Sequence, residues 1–271
     1  RFPMAASIAT IVVPLDESAL SESALPVADE IATALGASVL VLTSGWGSTT
    51  EALGEYVEAR AATLTAPHDT KVVPDTFPAT AIAESVKGSD DLVVMATHGR
   101  SGIGKALLGS VAEDLLKRTE RPVVLLGPNG KAPKRLTGGI LVVTTDGSPT
   151  SALILPRAAI AAKALGMSVR VVSVSAAGGT PLGGNDRDTV DRAVESAVAF
   201  FTQEGVTATA EELVGAEAAT AVTDWCAANG VALLAMSTHG RSGIARTALG
   251  STTIKAVHSS ACPVLVQRAI G

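Results

Sequence analysis

A seven-residue segment occurs twice in this chain. Thr97-His98-Gly99-Arg100-Ser101-Gly102-Ile103 returns unchanged as Thr238-His239-Gly240-Arg241-Ser242-Gly243-Ile244. Leu108-Gly109-Ser110 and Leu249-Gly250-Ser251 follow in the same register, with nine residues between Gly99 and Gly109 and nine between Gly240 and Gly250. Near the start, residues 11–18 align with 141–148. The offset is 130 there and 141 at the later motif, so eleven extra residues enter mid-repeat, expected in the Gly-rich segment 175–185. The 271 residues are therefore read as two copies of one domain, at 1–127 and 137–271. Between them, 128–136 reads as a linker on its Pro128-Asn129-Gly130-Lys131-Ala132-Pro133-Lys134-Arg135 composition.

Within each copy, short β-branched runs alternate with helical stretches. The expected strands are 8–14, 39–44, 70–73, 92–96 and 123–126, then 140–144, 169–174, 207–211, 232–236 and 264–267. Stretches 19–35 and 152–165 have apolar residues at helical spacing and stop at Gly36 and Gly166. Near-continuous apolar strands alternating with helices imply a parallel sheet covered on both faces. The expected fold is α/β: two repeated doubly wound domains, each with a five-stranded parallel sheet. Ligands bind such sheets beyond the carboxyl ends of the strands, where the strand order reverses. That rule points to Pro14, Leu15 and Asp16, to Thr43 and Ser44 and to the loop after Met95, with Thr145 and Asp146 among their counterparts.

Composition narrows the function classes. Hydrophobic residues at 47% and charged residues at 17% supply a core and exclude wholesale disorder. With aromatics at 3%, that core is aliphatic. The net charge of -5 divides into -4 for residues 1–135 and -1 for 136–271, so neither half has the basic excess of a general nucleic-acid binder. No apolar run approaches the roughly 20 residues of a membrane span. The opening residues lack the apolar region of a signal peptide, and Met4 is expected to be the native start. Cys226 and Cys262 form no CxxC site and read as packing residues of a reducing compartment. The expectation is a cytoplasmic protein with neither a nucleic-acid nor a membrane partner.

The chemistry concentrates in the loop from Ala96 to Ser110, which leaves a strand, passes several glycines and ends at a helix start. Ser110-Val111-Ala112-Glu113 has the S-x-x-E form of a capping box. A helix start attracts phosphate through its amides and dipole, and glycine admits close backbone approach. Arg100 and Lys105 add positive charge, as Arg241 and Arg246 do in the second copy. Asp16 and Asp146 could bind a ribose or hold magnesium. Together these features describe a nucleotide site, without a Walker loop or a GxGxxG fingerprint.

On these motifs the whole chain resembles the universal stress protein family in a tandem form. Nucleotide-binding members carry G-x2-G-x9-G-[ST] after the fourth strand. Here the segment reads Ala96-Thr97-His98-Gly99, nine residues, Gly109-Ser110, and again Ser237-Thr238-His239-Gly240, nine residues, Gly250-Ser251. The resemblance implies binding of ATP, ADP or AMP, with or without magnesium. It gives Pro14, Leu15, Asp16, Ser44, Met95 and Ala96 to adenosine, and Gly99, Arg100, Gly102, Gly109, Ser110 and Val111 to the phosphates. The second set is Thr145, Asp146, Val174, Met236, Ser237, Gly240, Arg241, Gly243, Gly250, Ser251 and Thr252. Two departures stand out. The first motif glycine is Ala96 or Ser237, and the family's proline, kept as Pro14, is Thr144 in the second copy.

Simpler roles compete. Asp16 can stabilise a turn with Ser18 as a helix cap. His98 and His239 read as loop histidines, Trp46 as a residue packed beneath a loop, and Gly178-Gly179 with Gly183-Gly184 as a surface loop. The implied function is a nucleotide-dependent regulator of a protein partner; alternatives are a slow ATP hydrolase and a nucleotide-independent scaffold. The final strands of the two copies are expected to pair within the chain as a pseudo-dimer, and homodimerisation of the tandem chain stays open.

Overall fold

A computed structural model of the protein describes residues 8–45, 49–86, 88, 91–98, 108–130, 135–238 and 250–268. The first domain runs β1 (Thr10–Leu15), α1 (Ala19–Glu22), α2 (Ala24–Leu35), β2 (Ser38–Gly45), α3 (Thr50–Ala61), β3 (His68–Pro74), α4 (Pro78–Ser85), β4 (Asp91–Ala96), α5 (Ser110–Arg118) and β5 (Val123–Leu126). The second runs β6 (Ile140–Thr144), a 3-10 turn (Ser151–Ile154), α6 (Leu155–Ala164), β7 (Ser168–Ser175), α7 (Arg187–Gln203), β8 (Ala208–Val214), α8 (Ala218–Ala228), β9 (Leu233–Thr238), α9 (Ser251–Ser259) and β10 (Val264–Arg268). Every expected strand is present, with ends shifted by at most a few residues.

The strands form one ten-stranded sheet in the order β3-β2-β1-β4-β5-β10-β9-β6-β7-β8. Neighbours are parallel within each half, and the halves join by antiparallel pairing of β5 with β10, where Val124 faces Leu265 and Val123 faces Val266. The expected intramolecular pseudo-dimer is therefore what this fold builds. It removes two exposed sheet edges at once.

Helices cover both faces. One apolar layer combines Ile11, Val57, Leu141 and Phe201 beneath α2, α3, α6 and α7. The other combines Val93, Leu116, Leu234 and Val257 beneath α4, α5, α8 and α9. Each layer runs through both domains, so the seam is core. Leu136, at the end of the expected linker, is fully buried in the first layer. The buried free thiols of Cys226 and Cys262 belong to the second.

The stretches 19–35 and 152–165 are each interrupted rather than continuous. Pro26 and Pro156 occupy equivalent places in the first turn of α2 and α6. Proline has no N–H and suits a helix start, so each stretch begins its long helix only there, after a short turn. Gly36 and Gly166 end these helices with φ of 66° and 58°, a left-handed conformation that costs glycine little.

The eleven extra residues also find their place. Val39 pairs with His68 and Val169 with Ala208, so ten of them lie between the second and third strands of the second domain. They lengthen both the loop after β7 and the helix α7, which has 17 residues against 12 in α3.

Candidate functional site

In the first domain the strand order reverses between β1 and β4, and a cleft of about 280 Å³ opens at their carboxyl ends. Pro14 and Leu15 from β1 with Asp16 just beyond it, Ser44 from β2, Met95 and Ala96 from β4, and Gly109, Ser110 and Val111 at the start of α5 all line it. Of the described first-domain residues expected at the site, Thr43 alone does not line the cleft: it is buried, and its hydroxyl donates to Leu15 O at 2.9 Å. Gly99, Arg100, Gly102 and Lys105 lie outside the described residues, as do Trp46, His239, Gly240, Arg241, Gly243 and Arg246.

The β1 wall is a tight turn. Glu17 takes a left-handed φ of 65°, and the Asp16 Oδ1 accepts hydrogen bonds from the Ser18 amide at 3.1 Å and hydroxyl at 2.5 Å. Ser18 in turn caps α1 by accepting from the Ser21 amide. Asp16 thus stabilises its turn while also lining the cleft.

The opposite wall is the start of α5. Its N-cap is Gly109, with φ -65° and ψ 149°, and no side chain among the described residues caps it. The S-x-x-E pattern is therefore not a capping box: Ser110 is the first helical residue, and Glu113 reaches forward to Lys117 at 2.8 Å. The cause is steric. A Cβ on Gly109 would stand 1.9 Å from the Thr97 carbonyl oxygen, so a residue with a capping side chain cannot occupy the N-cap. Uncapped amides in the first turn leave a helix start free to bind an anion. Ala96 pairs with Leu126 in regular strand register. Among the described residues, positive φ outside glycine occurs only at Glu17 and Asp75, so alanine in place of the motif glycine costs no backbone strain.

Six further lining residues were not expected: Ser21, Leu42, Pro78, Ile82, Thr97 and His98. Leu42 lies two residues before Ser44 on the same strand face, a relation that period-two spacing contains. Pro78 and Ile82 arrive on α4, a tertiary contact without a local signal. The Thr97 hydroxyl donates to Leu126 O at 3.2 Å and so accepts from His98 Nδ1 at 2.9 Å. The His98 ring meets that of His258, on α9 of the other domain, edge to face at 6.3 Å. Among the described residues no group of three His, Cys, Asp or Glu side chains could hold a metal ion.

The corresponding region of the second domain differs. The Asp146 Oδ1 accepts from the Ser148 amide at 2.9 Å, and the Thr145 hydroxyl meets Ser151 Oγ at 2.9 Å. Gly250 is the N-cap of α9, ahead of Ser251 and Thr252. Its amide donates to the Thr238 hydroxyl at 2.9 Å, and the nearest described atom to a Cβ there would be that same oxygen, 4.0 Å away. Val174 and Met236 are buried in the apolar layer, and the buried Ser237 Oγ has no hydrogen-bond partner among the described residues. The loop after β7 folds back over Asp146 and Val174: Leu182 N donates to Val174 O at 2.8 Å and Asn185 Nδ2 to Asp146 O at 2.9 Å. No helix among the described residues is long and apolar enough to cross a membrane.

Comparison with known proteins gives these features a family. The model of the universal stress protein family matches residues 46–127 and 139–268. A search of curated proteins found no match. Among solved structures, a universal stress protein from Archaeoglobus fulgidus DSM 4304 is 21% identical, with a TM-score of 0.70 over 98% of this chain and 99% of that one. A functionally unknown protein from Pseudomonas aeruginosa PAO1 is 18% identical, with a TM-score of 0.69 over 96% of this chain and 92% of that one. At these identities the likeness is one of fold, along the full tandem arrangement. The two family matches cover most of the chain, which belongs to the universal stress protein family as a tandem member.

Proposed function

We propose that the first domain binds an adenine nucleotide, ATP before ADP or AMP, and that occupancy controls a protein partner in the cytoplasm. The adenosine would lie toward Asp16, Ser44 and Met95, and the phosphates at the amides of Ser110 and Val111. The observation that carries this reading is the meeting, in one cleft at the strand-order reversal, of every described first-domain residue assigned to the nucleotide by motif. The cleft volume of about 280 Å³ lies near the lower end of small-molecule sites. The α5 start supplies an anion site without a competing cap.

The hydrolase alternative has less support. Among the described residues no group of three His, Cys, Asp or Glu side chains joins Asp16 to hold a metal ion. Binding without turnover is the reading the site favours.

Thermal melting with and without ATP–magnesium tests the proposal. Ligand at a hundredfold over Kd stabilises by about 2.7 kcal/mol through linkage, a rise of several degrees for a chain of this size. An unchanged melting temperature at millimolar ATP would refute it. Mass spectrometry of small molecules released from gently purified, denatured protein identifies the nucleotide.

A further inference from the structure

The strand ends of the two domains are not equivalent, and the difference lies in the loop after β7. Four residues separate β2 from α3, whereas eleven separate β7 from α7. The tip of the longer loop, 177–180, is exposed, but the chain then returns to the strand ends through the buried Pro181 and the half-buried Leu182 and Asn185. Ala176 N donates to Thr180 O at 2.8 Å and Gly179 N to Ala176 O at 2.9 Å, making a tight turn. Pro181 then bridges back to Ser175, and Leu182 N donates to Val174 O at 2.8 Å. Leu182 packs against the apolar cluster that contains Val174 and Met236. Gly183 presses on the next strand end, where a Cβ would stand 2.8 Å from Asp146 Cβ. Arg187 latches the turn, donating to Gly179 O at 2.7 Å and to Glu212 Oε1 at 2.6 Å.

Asp146 and Val174 are the counterparts of Asp16 and Ser44, which line the open first cleft. In the second domain a backbone amide, a leucine side chain and an asparagine amide of the same chain already meet them. The start of α7 packs on the adjoining turn, where a Cβ on Gly147 would stand 3.2 Å from Val190. We propose that segment 176–185 is a built-in occupant of the second cleft, seated where the first cleft takes adenosine, and that it closes the second cleft to nucleotide. The assignment of adenosine to that position rests on the nucleotide reading of the first cleft.

Calorimetric titration of the full chain with ATP–magnesium, paired with hydrogen-exchange mass spectrometry, tests it. Saturation at one ATP per chain is expected, with slowed exchange over 91–98 and 108–112 and unchanged exchange over 176–185. Two ATP per chain, or exchange over 176–185 that changes with ATP, overturns the proposal. The seat is also tested without nucleotide. The Ala176 and Leu182 amides should exchange on the order of a hundredfold more slowly than free loop amides, and Gly183→Val should speed them. Free exchange at both positions in the native chain overturns the seated loop. If ATP binds nowhere, the reading of the first cleft fails, while amide protection still decides whether the second is filled.

Discussion

The α-carbon of Gly109 rests against the carbonyl oxygen of Thr97, so closely that a Cβ would stand 1.9 Å from it. This contact sets the start of α5 beside the end of β4. Its φ of -65° is open to any residue, so the constraint is space alone. Gly109→Ala is expected to cost about 2–4 kcal/mol and to abolish ATP stabilisation, because strand and helix must part. Gly250→Ala, with no described atom nearer than 4.0 Å, should cost under about 1 kcal/mol. Urea unfolding of the two variants checks the contrast.

Glu30 on α2 joins the domains. Its carboxylate accepts from the Leu136 amide at 2.9 Å, the Thr137 amide at 2.7 Å and the Thr137 hydroxyl at 2.7 Å. Burial works to raise its pKa, but these amides and the hydroxyl, with Arg135 nearby, outweigh it and hold the carboxyl below its usual value. A lowered folded-state pKa contributes stability above the unfolded pKa and loses it as pH falls through the folded one. Glu30→Ala should cost about 1–3 kcal/mol at pH 7. The gap to the native chain should shrink below about pH 4, as measured by urea midpoints across pH.

At the seam, Leu125 is fully buried opposite Val264. Leu125→Ala should cost about 2–5 kcal/mol, as large-to-small core changes do. Because both apolar layers cross the seam, calorimetry should show a single unfolding transition in the native chain. Two separate transitions would mean that the domains are energetically independent.

Ser237 gives a prediction of opposite sign. Its Oγ is buried without a partner among the described residues, and an unsatisfied buried hydroxyl is costly. Ser237→Ala, which restores the alanine found at position 96, should leave stability unchanged or raise it by about 1 kcal/mol. Thermal melting decides between gain and loss.

Much of this architecture was legible in the sequence because its signals are local or repeated. The duplicated Thr97–Ile103 segment gave the domain count, and β-branched runs located the strands. Gly36 and Gly166 marked helix ends through backbone freedom alone. The strand-end part of the first-domain lining, Asp16, Ser44 and Met95, followed from one topological rule, and Gly109, Ser110 and Val111 from the repeated glycine motif. What escaped was tertiary. The S-x-x-E pattern at Ser110 looked like a cap because the Thr97 carbonyl that excludes one lies thirteen residues earlier. The breaks before α2 and α6 were visible in Pro26 and Pro156, yet helical periodicity concealed them. The glycines of 178–184 are exposed, as the surface-loop reading expects, but no spacing rule reveals that Leu182 and Gly183 return to Val174 and Asp146. Pairing of His98 with His258 needs the antiparallel seam before it can be seen.

A crystal structure of the full chain grown with saturating ATP–magnesium tests the central claim most directly. The account predicts adenosine density in the first-domain cleft between Ser44 and Met95, with phosphate density at the amides of Ser110 and Val111. A first cleft left empty at saturating ATP, or nucleotide bound elsewhere on the chain, would contradict it.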